Sequence, residues 1–447
     1  MSEWKKVKIG DFLTEREGRY KPNDKEISKY QRLDKIDFSG HIHISDKPTK
    51  TDMIIVFPGD LIISGINVAK GAISVYQGKE PVCATIHYSS YTFDDKKVDL
   101  DYFKYFVKSP AFIFALQQQV KGGIKTEIKP KHLLPLEISL PDLSTQKEIV
   151  KVLSKKIEKV ELIKSEIESQ KAYAKQLRQN ILQEAIEGKL TEEWRKENPV
   201  VKGNPDFDAE ALFEKIQVEK CHTDSELLRN SKKKVFESIS ENEQPFEIPE
   251  GWKWVKLEHL AEVGTGATPL TSEKKYYENG TIPWITSSST GNDFVSKADV
   301  FITEIALKET NCSLNPKGTL VVAMYGQGKT RGQITELCIE AATNQACATI
   351  KIFEKDNVVL KKYIKFVFKK MYEEIRSLAQ GGTQPNLNLG KISNTIFPLP
   401  PLAEQKEIVS RVEKLLANVT ELEKQITERE EMTKQLMQSI MKDAFRE

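Results

Sequence analysis

Leu140-Pro141-Asp142-Leu143-Ser144-Thr145-Gln146-Lys147-Glu148-Ile149-Val150 is written again as Leu399-Pro400-Pro401-Leu402-Ala403-Glu404-Gln405-Lys406-Glu407-Ile408-Val409, displaced by 259 residues from Leu140 to Leu399. The register then holds: Val160 meets Val419, Ile167 meets Ile426, Lys175-Gln176-Leu177 meets Lys434-Gln435-Leu436, and Ile181 meets Ile440. Self-similarity at a fixed period marks a duplicated architecture. Upstream, with small insertions between blocks, Trp4-Lys5-Lys6-Val7 matches Trp252-Lys253-Trp254-Val255 and Cys83-Ala84-Thr85-Ile86 matches Cys347-Ala348-Thr349-Ile350. Lys121-Gly122-Gly123 likewise matches Gln380-Gly381-Gly382. The repeat unit is a variable module followed by a better-preserved helix.

In that helix Leu153, Val160, Ile167, Ala174 and Ile181 recur every seventh residue, and the copy carries Val412, Val419, Ile426 and Ile440. Ile149, Ile157, Ile163 and Leu177 widen the stripe, which is a coiled-coil seam. Ser144 is a candidate N-cap and Gly188 a candidate C-terminal cap, giving roughly 40 residues, or about 60 Å at 1.5 Å per residue. An apolar stripe on a lone helix needs a partner. The simplest arrangement pairs the two copies antiparallel, with the modules at opposite ends and related by an approximate two-fold axis.

Within the modules, β-rich runs at Met53 to Phe57, Leu61 to Ser64, Ala72 to Tyr76, Leu320 to Ala323 and Ala346 to Phe353 alternate with turn residues. Helices are predicted at Asp101 to Val120 and Leu360 to Ala379. The expected fold is α+β in the order module 1–141, helix 142–189, connector 190–248, module 249–400 and helix 401–447. The connector, with its Lys232-Lys233-Lys234 run and one amphipathic stretch at Ala209 to Val218, reads as exposed and partly helical.

Composition narrows the class. With 447 residues, 39% hydrophobic and 30% charged, the chain is expected to be globular with several compact units. A net charge of +2 leaves nucleic-acid binding to the local distribution of charge. The five cysteines show no Cys-x-x-Cys pair and no zinc spacing, so they read as reduced thiols and no metal is assigned. The apolar run from Met53 to Ala69 is broken by Pro58, Gly59 and Asp60, and Met1-Ser2-Glu3-Trp4 opens no signal peptide, so a cytoplasmic protein without a membrane partner is expected.

The Leu399–Val409 stretch with its long helix, Thr343-Asn344-Gln345-Ala346-Cys347-Ala348 and Gly381-Gly382-Thr383-Gln384-Pro385-Asn386 together resemble the specificity subunits of type I restriction-modification systems. The resemblance covers essentially the whole chain, including Pro249-Glu250-Gly251-Trp252 before the second module. It implies two target-recognition domains alternating with two spacer helices; the duplicated modules and the heptad seam further suggest that the paired helices act as a ruler and that module loops enter major grooves. It also implies a bipartite site on double-stranded DNA, one half read by each module, with two methyltransferase and two restriction subunits as partners, and the divergence of the modules suggests that the half-sites differ, making the site asymmetric. Adenine-N6 methylation would belong to the methyltransferase, which binds S-adenosylmethionine, and ATP and magnesium to the restriction subunits. No cofactor is expected on this chain, which has no Asn-Pro-Pro-Tyr or Asp-Pro-Pro-Tyr segment. Two alternatives stay open: a coiled-coil adaptor whose modules bind protein, and a specificity subunit of the related fused restriction enzymes.

Ala323-Met324-Tyr325-Gly326-Gln327-Gly328-Lys329-Thr330 ends like a phosphate-binding P-loop, but its first glycine is Ala323 and Arg331-Gly332-Gln333-Ile334 does not open a helix. A glycine-rich loop bearing Tyr325, Gln327, Lys329 and Arg331 suits DNA better, since glycine admits phosphate while the side chains pair with base edges. The matching first-module segment supplies Asn67 and Lys70. Lys121 and Lys125 in one later loop, and Gln384 and Asn386 in the other, are further candidates, although solvated hairpins or a helix-capping glycine pair explain these loops as simply. His41 and His43 beside Asp37 lack a third ligand. No serine–histidine–acid, paired-carboxylate or nuclease pattern stands out, so no catalytic residue is assigned.

Overall fold

The fold is given by a computed structural model that describes residues 4–38, 40–45, 47, 49–67, 72–119, 129–223, 239–325, 330–354, 357–379 and 387–445. The chain divides into two compact units, Met1–Gln170 with Gln425–Glu447, and Lys171–Lys424. In chain order the first unit carries β1 (Lys5–Lys8), β2 (Leu13–Glu15), β3 (Arg32–Ile36), β4 (Ile42–Ser45), β5 (Met53–Val56) and β6 (Leu61–Ser64). β7 (Ile73–Val75), β8 (Val82–Thr85) and β9 (Tyr88–Phe93) precede the helices α1 (Leu100–Phe106), α2 (Pro110–Gln119) and α3 (Pro130–Leu133), and β10 (Glu137–Leu140) closes the module. The long helix α4 (Leu143–Ile186) follows, and its later part belongs to the second unit.

After α5 (Glu192–Glu197) and α6 (Ala209–Thr223), the second module runs through β11 (Lys253–Lys256), β12 (Ala261–Thr265), β13 (Ile282–Ile285), β14 (Phe294–Val295) and β15 (Val300–Ile302). It continues with α7 (Glu304–Glu309), β16 (Leu314–Asn315), β17 (Leu320–Ala323), β18 (Ile334–Leu337), β19 (Ala341–Thr343) and β20 (Cys347–Ile352). It ends in α8 (Val358–Ala379), α9 (Leu389–Ser393), β21 (Ile396–Leu399) and α10 (Leu402–Ala444), whose last part returns to the first unit.

The modules share one topology. The first has sheets β2-β9-β6-β7 and β4-β3-β8-β5 and a β1-β10 ribbon; the second has β12-β20-β17-β18-β14, β15-β13-β19-β16 and β11-β21. Leu61 faces Tyr91 in the first and Leu320 faces Ile350 in the second, so the 259-residue displacement of the helices extends back through these strands. This overturns one alignment made from sequence. Cys83 lies in β8, on the β3 side, whereas Cys347 opens β20, the partner of β12 and β17. The counterpart of Cys347 is Tyr88, and that of Cys83 is Ala342. Chance identity in Cys-Ala-Thr-Ile outscored true equivalence because buried strands accept many small apolar residues.

Local chemistry sets the helix boundaries. The single helix expected over Asp101 to Val120 is two, because Ser109-Pro110 interrupts it: Pro110 has no N–H, and the buried Ser109 hydroxyl accepts from the Phe112 amide at 3.2 Å. α4 is capped by Asp142 rather than Ser144, its carboxylate accepting the Thr145 amide at 2.8 Å, and that bond holds the Asp142 carboxyl below its usual range. At the head of α10, Pro401 stands in this place. The two starts share a fully buried glutamine instead: Gln146 Nε2 donates to the Pro141 carbonyl at 2.9 Å and Gln405 Nε2 to Pro400 at 2.8 Å. The repeated glutamine therefore satisfies a backbone carbonyl at each strand-to-helix junction.

In the first unit Leu153 packs with Met441 and Phe445 beneath Leu13, Leu61, Tyr102 and Phe112. In the second, Ile181 and Leu182 share a core with Val412, Val419, Val255, Leu320 and Tyr363. Early α4 thus meets late α10, and late α4 meets early α10, so the helices pair antiparallel within each unit. Val160, Ile167 and Ile426 are also buried, and Ile440 is half-buried. Polar clamps flank the seam: Arg429 donates to Gln170 at 2.9 Å in the first unit, and Arg178 pairs with Glu423 at 2.8 Å in the second.

The connector is not simply exposed. Ala209, Leu212 and Ile216, at helical spacing on α6, are fully buried in the second core, and Glu210 pairs with Lys253 at 2.6 Å. Buried Glu404 on α10 accepts from Thr191 at 2.6 Å and from Trp252 Nε1 at 2.7 Å, and pairs with Arg195, fastening both ends of the connector. Gly188 adopts φ +73° there, and a Cβ would stand 2.6 Å from Pro249.

Truncating Leu153 to alanine should lower stability by about 2–5 kcal/mol, the range for emptying a packed core site. Val152→Ala, at an exposed neighbour, should change it by less than about 0.5 kcal/mol. Urea midpoints of the two variants check the seam.

Candidate nucleic-acid interface

Five strands of the second module end at one edge. Thr265 (β12) pairs with Ala348 (β20) and Ala323 (β17) with Cys347, so the end of β12, the end of β17 and the start of β20 lie side by side. The ends of β13 and β19 join through the parallel pair Ile285 and Thr343 and the Asn344 amide, which donates to Ile285 O at 3.0 Å. The Met324 amide ties the β17 end to this loop by donating to Ala346 O at 2.8 Å.

Small residues let these loops crowd together. The Ala267 amide donates to Thr343 O at 3.0 Å, and a Cβ on Gly266 would fall 1.7 Å from that oxygen. Thr265 Oγ1 donates to Cys347 O at 2.9 Å, Thr268 bonds to the Gln345 side chain, and Asn344 Oδ1 accepts the Ala346 amide at 3.1 Å. Beside them the run Thr286-Ser287-Ser288-Ser289-Thr290 bonds to itself: Thr286 Oγ1 and Ser288 Oγ lie 2.7 Å apart, and Thr290 Oγ1 donates to Ser287 O at 2.7 Å and to Gln333 Oε1 at 3.3 Å. The outward side chains of Thr265, Thr268, Ser288, Asn292, Tyr325 and Gln345 are exposed. Hydroxyls and amides that both donate and accept can match base edges without the long-range attraction of charge.

The sequence candidates separate accordingly. Tyr325, 48% exposed, stands on this edge, and Arg331 lies half-buried beside Gly332, whose φ of +83° turns the chain into β18. Gln327, Lys329, Gln384 and Asn386 lie outside the described residues, as do Lys70, Lys121 and Lys125. β17 and β18 are antiparallel neighbours, so Ala323–Thr330 joins two strands and does not open a helix as a P-loop would. In the first unit Asn67 occupies the matching turn, its amide donating to Ser64 O at 3.3 Å and its carbonyl accepting from Ala72 at 3.2 Å. Composition-weighted reading passed over Thr265–Thr268, Thr286–Thr290 and Asn344-Gln345. The signals were there in a dense run of small hydroxyl residues and in glycines that only a close backbone approach requires.

The first module's face is more charged. Asp60, 2% exposed, accepts from Arg16 Nε at 2.6 Å, Ser90 Oγ at 2.8 Å and the Phe57 amide at 2.9 Å, while the Arg16 guanidinium lies 4.4 Å over the Phe57 ring. Arg16 is therefore engaged in the fold. By strand register its network is replaced in the second module by Gly264, Thr319 and Thr349. Glu17 and Arg19 remain exposed on a turn where Gly18 takes φ +126°, and burial raises the neighbouring Glu15 carboxyl.

Other cationic groups are likewise committed internally. Lys361 and Lys365 of α8 pair with Glu336 at 2.9 and 3.6 Å, and Lys369 pairs with Asp293 at 2.6 Å. Burial pushes the Lys365 ammonium down, and it lies 4.1 Å over the Phe294 ring. His43 Nε2 is 3.1 Å from Asp37 with the His41 ring alongside, and among the described residues no group of three or more potential metal ligands assembles. Nor, among those residues, is any helix long and apolar enough to cross a membrane.

Each of the two modules of one topology falls within a match to a single family model. The family model for the type I restriction modification DNA specificity domain matches residues 1–170 and 249–431. The chain belongs to that specificity family. It is 32% identical over 171 residues to the type I restriction enzyme MjaIX specificity subunit of Methanocaldococcus jannaschii, covering 36% of this chain and 37% of that one. It is 23% identical over 410 residues to the EcoKI specificity subunit of Escherichia coli strain K12, covering 88% of this chain and 75% of that one. A chain solved in work on the assembly and conformational transition of the type I R-M system superposes with a TM-score of 0.62 at 15% identity, over 99% of this chain and 98% of that one, and so shares its fold. The specificity-domain match breaks at residues 171–248, across late α4, α5 and α6.

Gly266→Ala should displace the 265–269 turn and speed hydrogen exchange at the Ala267 amide. Gly291→Ala, whose Cβ would meet nothing nearer than Gln333 at 3.8 Å, should leave that exchange unchanged. Amide exchange followed by mass spectrometry distinguishes the two.

Proposed function

We propose that this chain is the DNA-reading subunit of a type I restriction-modification enzyme, each module reading one half of a bipartite, asymmetric site on double-stranded DNA. The observation that carries the reading is the repetition of one topology with loop edges that differ among the described residues, mostly hydroxyls and amides in the second module and charged residues in the first. One scaffold with two unlike edges suits two unlike half-sites. Glycine-permitted backbone approach positions phosphate, and hydroxyl, amide and aromatic side chains discriminate bases. Tyr325, Gln327, Lys329, Arg331, Gln384 and Asn386, joined by Thr268, Ser288 and Gln345, would serve one half-site, and Asn67, Lys70, Lys121 and Lys125 the other.

The chemistry would sit on partners: two methyltransferase subunits that bind S-adenosylmethionine and methylate adenine N6, and two restriction subunits that use ATP and magnesium. This chain's part is to hold them on a chosen sequence.

Sequencing DNA for methylated adenines after co-expression with the cognate methyltransferase should reveal a split motif that is absent without this chain. Replacing residues 249–400 with the same module of a relative should change one half of that motif and leave the other. An assembled, active methyltransferase that yields no new motif would favour the protein-binding adaptor instead.

A further inference from the structure

The backbone of the second module's loop edge recurs in the first, but one side chain on it does not. The Met324 amide donates to Ala346 O at 2.8 Å, and 259 residues earlier the Gly65 amide donates to His87 O at 2.9 Å. The residue before each acceptor therefore stands at the same point of the fold. It is Gln345, exposed, in the second module and Ile86, half-buried, in the first. Where the scaffold needs a side chain the copies agree, as at Gln146 and Gln405. Here the backbone agrees and the side chain does not, which is the pattern of a reader and not of a support.

Gln345 is held in one orientation. Thr268 Oγ1 donates to Gln345 Oε1, so the amide oxygen is drawn to the protein, and among the described residues no group accepts from its Nε2. Thr268 is fixed in turn from behind. The Ala267 carbonyl accepts from buried Trp284 Nε1 at 3.1 Å and from buried Cys312 Sγ at 3.2 Å, and the Ala267 amide donates to Thr343 O at 3.0 Å. On the other side the Pro269 carbonyl accepts from Tyr277 Oη at 2.6 Å. Backbone groups flanking Thr268 are thus tied into the module, and its hydroxyl is aimed by side chains packed behind it.

We infer that Gln345 reads one base of the second module's half-site through its amide N–H groups, that Thr268 sets this polarity, and that Trp284 is a positioning residue for the pair. The inference rests on the functional reading above. A glutamine with both ends of its amide free matches adenine, donating to N7 while accepting from N6. With its oxygen turned to Thr268, Gln345 offers donors and meets acceptors. Guanine, with N7 and O6 side by side, is the base whose major-groove edge presents two acceptors and no donor.

Full-length chain co-expressed with its methyltransferase, followed by sequencing of methylated adenines, supplies the motif, and the module exchange above assigns one half of it to residues 249–400. That half should contain a G·C pair that relaxes in Gln345→Leu while every other position holds. Thr268→Val keeps the shape of the side chain and removes the donor, and should admit adenine beside guanine at that same pair. Trp284→Phe keeps an aromatic ring and removes the N–H, and should loosen that pair alone. In binding titrations on a duplex carrying the motif, 7-deazaguanine at that pair should weaken wild type roughly tenfold and leave Gln345→Leu unmoved. An unchanged motif in Gln345→Leu, or relaxation at an A·T pair, overturns the inference and leaves the functional reading standing. An unchanged motif in Thr268→Val overturns the polarity. Relaxation spread over the whole half-site with a lowered melting temperature in Trp284→Phe, or none at all, overturns its positioning role. No motif with wild type overturns the functional reading and the inference with it.

Discussion

A 44-residue helix with an apolar stripe has no stable existence in water, and this chain answers that constraint with a second helix of its own. Everything else is arranged around the pairing. Because early α4 meets late α10 and late α4 meets early α10, each unit combines one module with pieces of both helices, and the first unit is assembled from two separate stretches of sequence. The helix ends sink into the modules: Met441 and Phe445 join the aromatic core of the first, Ile181 and Leu182 that of the second. Seam and module core are therefore continuous, which couples loop placement to the helix pair.

The buried polar groups serve the same end. Gln146 and Gln405 satisfy carbonyls where strand gives way to helix, and Glu404 gathers Thr191, Arg195 and Trp252 around the head of α10. A carboxylate that is 2% exposed is tolerable only with such partners, since an unpaired buried charge is costly. The arrangement holds α5 and the entrance to the second module against the helix start. It has no counterpart at the first helix, where Thr145 occupies the position of Glu404.

Charge is handled in the same way. Many basic side chains are neutralised internally, as on α8 and at Arg16, which accords with a net charge of only +2. Among the described residues, the loop edge of the second module is dominated by hydroxyls and amides. Such a surface favours selective hydrogen bonding over indiscriminate attraction to phosphate.

The sequence by itself determined the duplication, the two long helices and their seam, because heptad spacing and an unbroken 259-residue register are one-dimensional properties that survive without knowledge of contacts. It also showed the α+β character of the modules through alternating strands and turns. Tertiary structure alone decided which strands are equivalent, correcting Cys83 against Cys347, since sheet order depends on partners far apart in the chain. It split one predicted helix at Ser109-Pro110, moved the α4 cap to Asp142 and buried a face of α6 that composition had marked as linker. It also assembled the hydroxyl-rich edge from four separate loops and separated engaged cations such as Arg16 from exposed polar groups. Burial and partnership are properties of three-dimensional neighbours, and a residue's type records only what it is able to do.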